Sequence, residues 1–131
     1  MNPRFDVRLD PDAVTEYNRL DGSVVPIVNK AIDELEYRAD EAGKPLGNKH
    51  GSKLAGCKEI KLREAGIRIV FRITNEVVEV LRVVYVLTIE RRSDDFVFKI
   101  ASQRLRKMKR SKEELKSHLS KGSKWNDSSD D

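Results

Sequence analysis

Apolar and polar residues alternate over Phe5-Asp-Val-Arg-Leu9, the period-two signature of a short half-buried strand. Asp10-Pro11 then reads as a helix cap followed by proline at the first helical position. The helix so started puts Ala13/Val14, Tyr17 and Leu20 on one face and stops at Asp21-Gly22. Ser23 is placed to cap a second helix, and Pro26 is tolerated in its first turn. Val24, Ile27/Val28, Ala31/Ile32 and Leu35 recur at helical spacing through about Ala39, so the two helices predict an antiparallel hairpin.

Residues 40–56 lose this periodicity at Gly43, Pro45, Gly47, Gly51 and Gly56 and predict a loop, a basic one carrying Lys44, Lys49, His50 and Lys53. Lys58-Glu-Ile-Lys-Leu-Arg63 alternates strictly, which sends Ile60 and Leu62 to the core and Glu59, Lys61 and Arg63 away from it. Glu64-Ala-Gly66 turns the chain into Ile67-Arg-Ile-Val-Phe-Arg-Ile73, with Arg68, Val70 and Arg72 on the outer face. Thr74-Asn75 predicts the next hairpin turn. Val77 to Ile89 is apolar on both faces, as a central strand covered on both sides would be. From Ser93, a stripe of Phe96/Val97, Ile100 and Leu105 predicts a last helix, and the Ser/Asp-rich residues after Gly122 predict disorder. The fold class is α+β, ordered β-α-α-β-β-β-α: a small antiparallel sheet of a three-stranded meander plus the N-terminal strand, packed by a helical hairpin. Its opposite face is expected to be concave and charged.

With 131 residues the chain is long enough for one domain and one core. The longest apolar run is interrupted by Glu79 and Arg82 and is too short for a bilayer, so no membrane role is expected. MNPRFDVRLD lacks the layout of a secretory signal, and Cys57, the single cysteine, excludes an internal disulfide. With His50 and His118 the only histidines, a Cys/His zinc cluster is excluded, and no metal or cofactor is expected. These features predict a reduced, cytoplasmic domain.

The formal charge of +4 is unevenly spread. Residues 1–45 carry net −4, 46–102 net +4, 103–124 net +7 and 125–131 net −3. Three parts follow: a domain over 1–105, a basic helical extension over 106–124 and a disordered acidic tail over 125–131. Two consecutive basic segments suit a polyanionic partner.

Neither GxxxxGK[ST] nor GxGxxG is present, and neither histidine sits in a motif that would serve a catalytic triad. One cluster remains: Lys58, Lys61, Arg63, Arg68, Arg72, Arg91 and Arg92 can converge around one sheet face. Like charges held together lower the pKa of a lysine, which can then take a proton while arginines stabilise a pentavalent phosphate. That chemistry cleaves RNA through its own 2′-hydroxyl. A plain phosphate-binding surface needs the same charges without tuning, and charge placement alone makes it the more economical alternative.

The run Lys53-Leu54-Ala-Gly56, Lys58-Glu-Ile-Lys-Leu-Arg63, Glu64-Ala-Gly66 and Ile67-Arg-Ile-Val-Phe71 resembles the "KLxG…yKIKLRxxGyRlvY" core of RelE/ParE-superfamily toxins. Arg92-Ser-Asp-Asp-Phe96 is similar to that family's "RxxxY", and the resemblance covers about Phe5 to Leu105. It implies a toxin of a toxin–antitoxin pair, either a ribosome-dependent mRNA endonuclease of the RelE branch or a ParE-like inhibitor of DNA gyrase. The implied partners are a cognate antitoxin and the ribosome with its mRNA, or gyrase. Carried onto this chain, the implied catalytic positions are Lys61, Arg63, Arg68, Arg92 and Phe96. The candidate RNA contacts, read from charge placement rather than from the resemblance, are Lys53, Lys58, Arg72 and Arg91 around the sheet and Arg104, Arg106 and Lys107 in the basic run. Two positions depart from the pattern: Glu59 replaces the first lysine of "KIK", and Phe96 replaces the tyrosine. A non-enzymatic nucleic-acid-binding protein driven by the basic extension is the third class.

Overall fold

The computed structural model describes residues 3–49, 52–78, 81–90, 94–108 and 123–125. In chain order its elements are β1 (Phe5–Leu9), α1 (Pro11–Asn18), α2 (Val25–Arg38), β2 (Lys44–Pro45), β3 (Asn48–Lys49), β4 (Ser52–Lys53), β5 (Cys57–Leu62), β6 (Ile67–Val78), β7 (Leu81–Glu90), α3 (Asp94–Met108) and β8 (Ser123–Lys124). The α+β class holds. Asp10 caps α1 as expected, its carboxylate accepting the Asp12 N–H at 2.9 Å. Ser23 does not cap α2. Its backbone N–H is taken by the Asp21 carboxylate at 2.9 Å, and the helix begins from Val24 without a side-chain cap.

The main sheet has the order β2-β5-β6-β7-β1-β8. It is mixed rather than antiparallel, because β1 runs parallel to β7 in the register Val7↔Val84. The long intervening chain makes that possible, since parallel neighbours require a crossover. The expected loop contains β2, which pairs with β5, and the small β3–β4 ladder. The hairpin turn expected at Thr74-Asn75 lies further on, because β6 continues to Val78. A register irregularity between Ile73 and Val77 absorbs the polar pair, and Thr74 Oγ1 donates to the Val83 carbonyl at 2.8 Å. A polar pair inside a strand reads locally like a turn.

Both faces of the sheet are packed. One carries Val7, Leu9, Ile67, Ile69, Phe71, Val84 and Val86 against Ala13 of α1 and Val28, Ile32 and Leu35 of α2. The other carries Cys57, Val70, Val83, Tyr85 and Leu87 against Val97, Phe98, Ala101 and Leu105 of α3. The expectation of an open, charged second face is therefore corrected: α3 covers its centre, and charge is left at its border. Val70 and Tyr85, both fully buried, supply the apolar surface that α3 needs. The expected boundary at residues 105/106 falls inside α3.

Residues 123–125 are ordered, against the expectation of disorder after Gly122. Ser123 and Lys124 pair with Leu9 and Arg8, and Trp125 packs edge-on against Tyr17 with ring centroids 5.5 Å apart. Most of the expected helical extension and the rest of the acidic tail, residues 109–122 and 126–131, lie outside the described residues. Among the described residues no helix is long and apolar enough to cross a membrane.

Candidate functional site

The β5–β6 register decides which charges meet. Lys61 lies opposite Arg68, Glu59 opposite Val70 and Cys57 opposite Arg72. Directly opposed residues of an antiparallel pair share a face, so Glu59, Lys61, Arg68 and Arg72 stand together on the α3 side of the sheet. The even members of β5 go the other way: Ile60 and Leu62 lie opposite Ile69 and Ile67, which belong to the core under α1 and α2.

Glu59 organises this border. Its side chain is 5% exposed, with Oε2 3.3 Å from Arg68 Nη1 and Oε1 3.9 Å from Lys61 Nζ. The carboxylate thus offsets the mutual repulsion of two cations expected to crowd each other. Lys61 keeps 41% of its side chain exposed and Arg68 25%, so both can still meet a solute. Arg63, exposed, follows β5 at the start of the turn, where its carbonyl accepts the Gly66 N–H at 3.2 Å.

Arg72 is held further along the same face. Its Nη1 donates to the Ala55 carbonyl at 3.3 Å. Gly56 makes room for it: the glycine has φ +88°, and a Cβ there would lie 2.6 Å from Arg72 Nη1. Leu54, fully buried, pins the preceding loop into the α3-side core. The Lys53-Leu54-Ala-Gly56 motif therefore has a physical basis, a buried anchor followed by a left-handed glycine under a guanidinium.

Other expected residues lie elsewhere. Lys58 points to the opposite face, where Nζ donates to the carbonyls of Ala39 at 3.2 Å and Asp40 at 2.9 Å and satisfies the C-terminus of α2. Arg104 turns inward, 14% exposed. Its Nη1 and Nη2 donate to Glu16 at 2.9 and 3.0 Å, and Nη1 also reaches the Leu87 carbonyl at 2.7 Å. Burial works against its charge, but Glu16, Asp10 and Asp12 outweigh that and raise its pKa. Arg106 and Lys107 are exposed on the last turn of α3. Lys53 lies in β4 and Phe96 in the first turn of α3, while Arg91 and Arg92 fall outside the described residues.

Sequence reasoning missed the acidic end of α1. Glu16 accepts from Arg104, from Thr88 Oγ1 at 2.8 Å and from the Ile89 N–H at 3.1 Å. Nearby, burial and then the Asp10 carboxylate push the Tyr85 phenol up, its hydroxyl 3.3 Å from Asp10 Oδ2. A carboxylate on the core side of a short helix was the available signal for Glu16.

No family model matches the chain. A protein of Escherichia coli named as a RelE-like toxin is 28% identical over 103 residues, covering 79% of this chain and 99% of its own length. The solved structure of an arginine-to-alanine double mutant of E. coli toxin RelE in the free state superposes with a TM-score of 0.59. It is 27% identical and covers 79% of this chain and 98% of its own. The same mutant in complex with a peptide of antitoxin RelBc gives 0.51 and 26% identity, over 75% of this chain and 94% of its own. In sequence and fold alike, the chain is similar to the RelE toxin.

Proposed function

We propose that this RelE-like chain is the toxin of a toxin–antitoxin pair, a cytoplasmic mRNA endonuclease acting on the ribosome, with a cognate antitoxin as its protein partner. The observation that carries the reading is Lys61 facing Arg68 across β5 and β6, inside the stretch that carries the family resemblance. Lys61 Nζ takes the proton of an RNA 2′-hydroxyl, whose oxygen attacks the adjacent phosphorus while the P–O5′ bond breaks. Arg63 and Arg68 meet the non-bridging oxygens as negative charge builds, and water protonates the leaving 5′-oxygen. The products are a 2′,3′-cyclic phosphate and a 5′-hydroxyl. Arg72 extends the cationic track along β6, and exposed Arg106 and Lys107 supply further phosphate contacts on α3. The antitoxin-bound RelE structure supports the choice of partner.

Glu59 favours a second reading. A buried anion between Lys61 and Arg68 spends part of their charge internally, which suits a gyrase inhibitor that needs no phosphate chemistry. Induced expression with mapping of mRNA 5′ ends separates the two. Cuts within codons, lost in Arg68→Ala, are the expected result. Undiminished growth arrest with intact mRNA would overturn the nuclease reading and leave the gyrase one.

A further inference from the structure

The order of the sheet leaves β1 as its outer strand but for the two residues of β8. An uncovered outer strand invites pairing with any extended chain. Here three consecutive residues meet that edge in three different ways. Ser123 and Lys124 form an antiparallel pair with Leu9 and Arg8. The Trp125 N–H donates to the Val7 carbonyl at 2.7 Å. The Trp125 indole N–H donates to Asp33 Oδ1 at 2.8 Å, and its ring stands at 86° to Tyr17. Asp33 belongs to α2 and Tyr17 to α1, so the tryptophan reads a notch made by both helices as well as the strand. α3 packs on the opposite face of the sheet, so it takes no part in this contact.

We propose that the outer edge of β1 and the Tyr17–Asp33 notch form a docking surface for an extended, tryptophan-bearing peptide, occupied in cis by Ser123–Trp125 as a separable latch. The combination suits peptide recognition: backbone bonds set the register, and one aromatic anchor in a notch sets specificity. Tethering matters because a three-residue contact is weak as a free peptide. An intramolecular segment is supplied at an effective concentration on the order of millimolar, so a half-saturating concentration of about 0.1 mM or below keeps the latch mostly closed. The RelE relative and the free RelE structure cover 79% of this chain but 98–99% of their own length, so the chain has length to spare for such a device. The proposal is independent of the ribonuclease reading.

Trp125 is the only tryptophan in the sequence, so fluorescence reports the latch alone. In the full chain its emission should be blue-shifted, and acrylamide quenching reduced several-fold, relative to a free peptide of residues 119–129. A chain ending at Gly122 contains no tryptophan. It should bind that peptide saturably, with a blue shift and half-saturation at or below about 0.1 mM. The same peptide carrying Trp125→Ala should fail to compete, and the full chain should leave the wild-type peptide unbound. Should the shortened chain not fold, the full-length Asp33→Ala variant carries the test: quenching should rise while far-UV circular dichroism stays the same. Free-peptide emission from the folded full chain, absence of binding by a folded shortened chain, or unchanged quenching in Asp33→Ala would each overturn the proposal. Equal peptide binding by the full chain would place the site elsewhere. A blue shift lost on dilution together with dimer dissociation would assign the occupant to a second copy and overturn the cis latch.

Discussion

Glu59 pulls stability and anion binding in opposite directions. Its carboxylate is almost fully buried and satisfies Arg68 and Lys61, yet any phosphate brought to those cations approaches the same negative charge. Glu59→Gln keeps the shape and removes the charge. Weakening the charged contacts of this buried carboxylate costs roughly 1–2 kcal/mol, so the urea midpoint should fall. Removing a negative charge several ångströms from a bound phosphate contributes about 1 kcal/mol in favour of binding, so filter-binding affinity for single-stranded RNA should rise several-fold. Equal or weaker RNA binding by a folded variant would mean that phosphate does not approach this border. Tyr85 makes a separate prediction at high pH. Burial, followed by Asp10, raises its pKa above the ordinary value near 10, so ionisation is harder in the folded state than in the unfolded one. Its contribution to stability is complete below about pH 10 and is lost as pH climbs above that value. Urea titrations from pH 8 to 11 should show the wild type losing stability faster than Tyr85→Phe. Parallel curves would remove Tyr85 from the alkaline transition.

At the scale of elements, α3 is attached by more than its apolar stripe. Val97, Phe98, Ala101 and Leu105 bury against β6 and β7, whereas the expected stripe has Ile100, which is only half-buried; periodicity places the helix but sets its buried face one position off. Arg104 adds a polar fastening to α1 and β7 through Glu16 and the Leu87 carbonyl, and it sits inside a basic run where composition suggests a solvated residue. Periodicity assigns a residue to a face, but a long arginine can carry its head group to a carboxylate 88 positions away in the chain. Removing the guanidinium leaves Glu16 buried with only neutral donors. Arg104→Ala should therefore cost roughly 3–5 kcal/mol in chemical denaturation. Arg104→Lys should recover only part of it, because an ammonium cannot match the two parallel bonds. A loss below about 0.5 kcal/mol would make the pair a surface-type contact. β5 and β6 were legible for the opposite reason. Alternation from Lys58 to Arg63 and from Ile67 to Ile73 fixes which side chains share a face, and their register needs only the short Glu64-Ala-Gly66 turn. The turn after β6 was not legible, because a strand irregularity and a turn draw on the same polar residues.

For the whole molecule, the charge map of the chain and the charge map of the surface differ because folding spends some cations internally. Lys58 closes α2, Arg104 fastens α3, and Glu59 draws on Lys61 and Arg68. Along the β5–β6 border and the end of α3, the described surface keeps Arg63 after β5, the exposed parts of Lys61 and Arg68, Arg72 beside Gly56, and Arg106 with Lys107. The order of elements and the β5–β6 cluster could be read from alternation. The ordered Trp125 could not, because its partners Val7, Tyr17 and Asp33 lie more than 90 residues upstream, in elements that become neighbours only after folding. This division also dictates how the basic extension should be tested. Cutting the chain before Arg104 would remove a structural residue and Leu105 with it, and loss of RNA binding would then report unfolding. Arg106→Gln with Lys107→Gln removes two exposed charges and leaves both cores intact. Each phosphate contact to a single strand contributes roughly −0.7 to the slope of log affinity against log salt. If both residues meet RNA, the slope should become shallower by about 1.4, with an unchanged thermal midpoint. An unchanged slope would confine RNA contact to the β5–β6 border, where Arg72→Gln should then shift it by about 0.7 on its own.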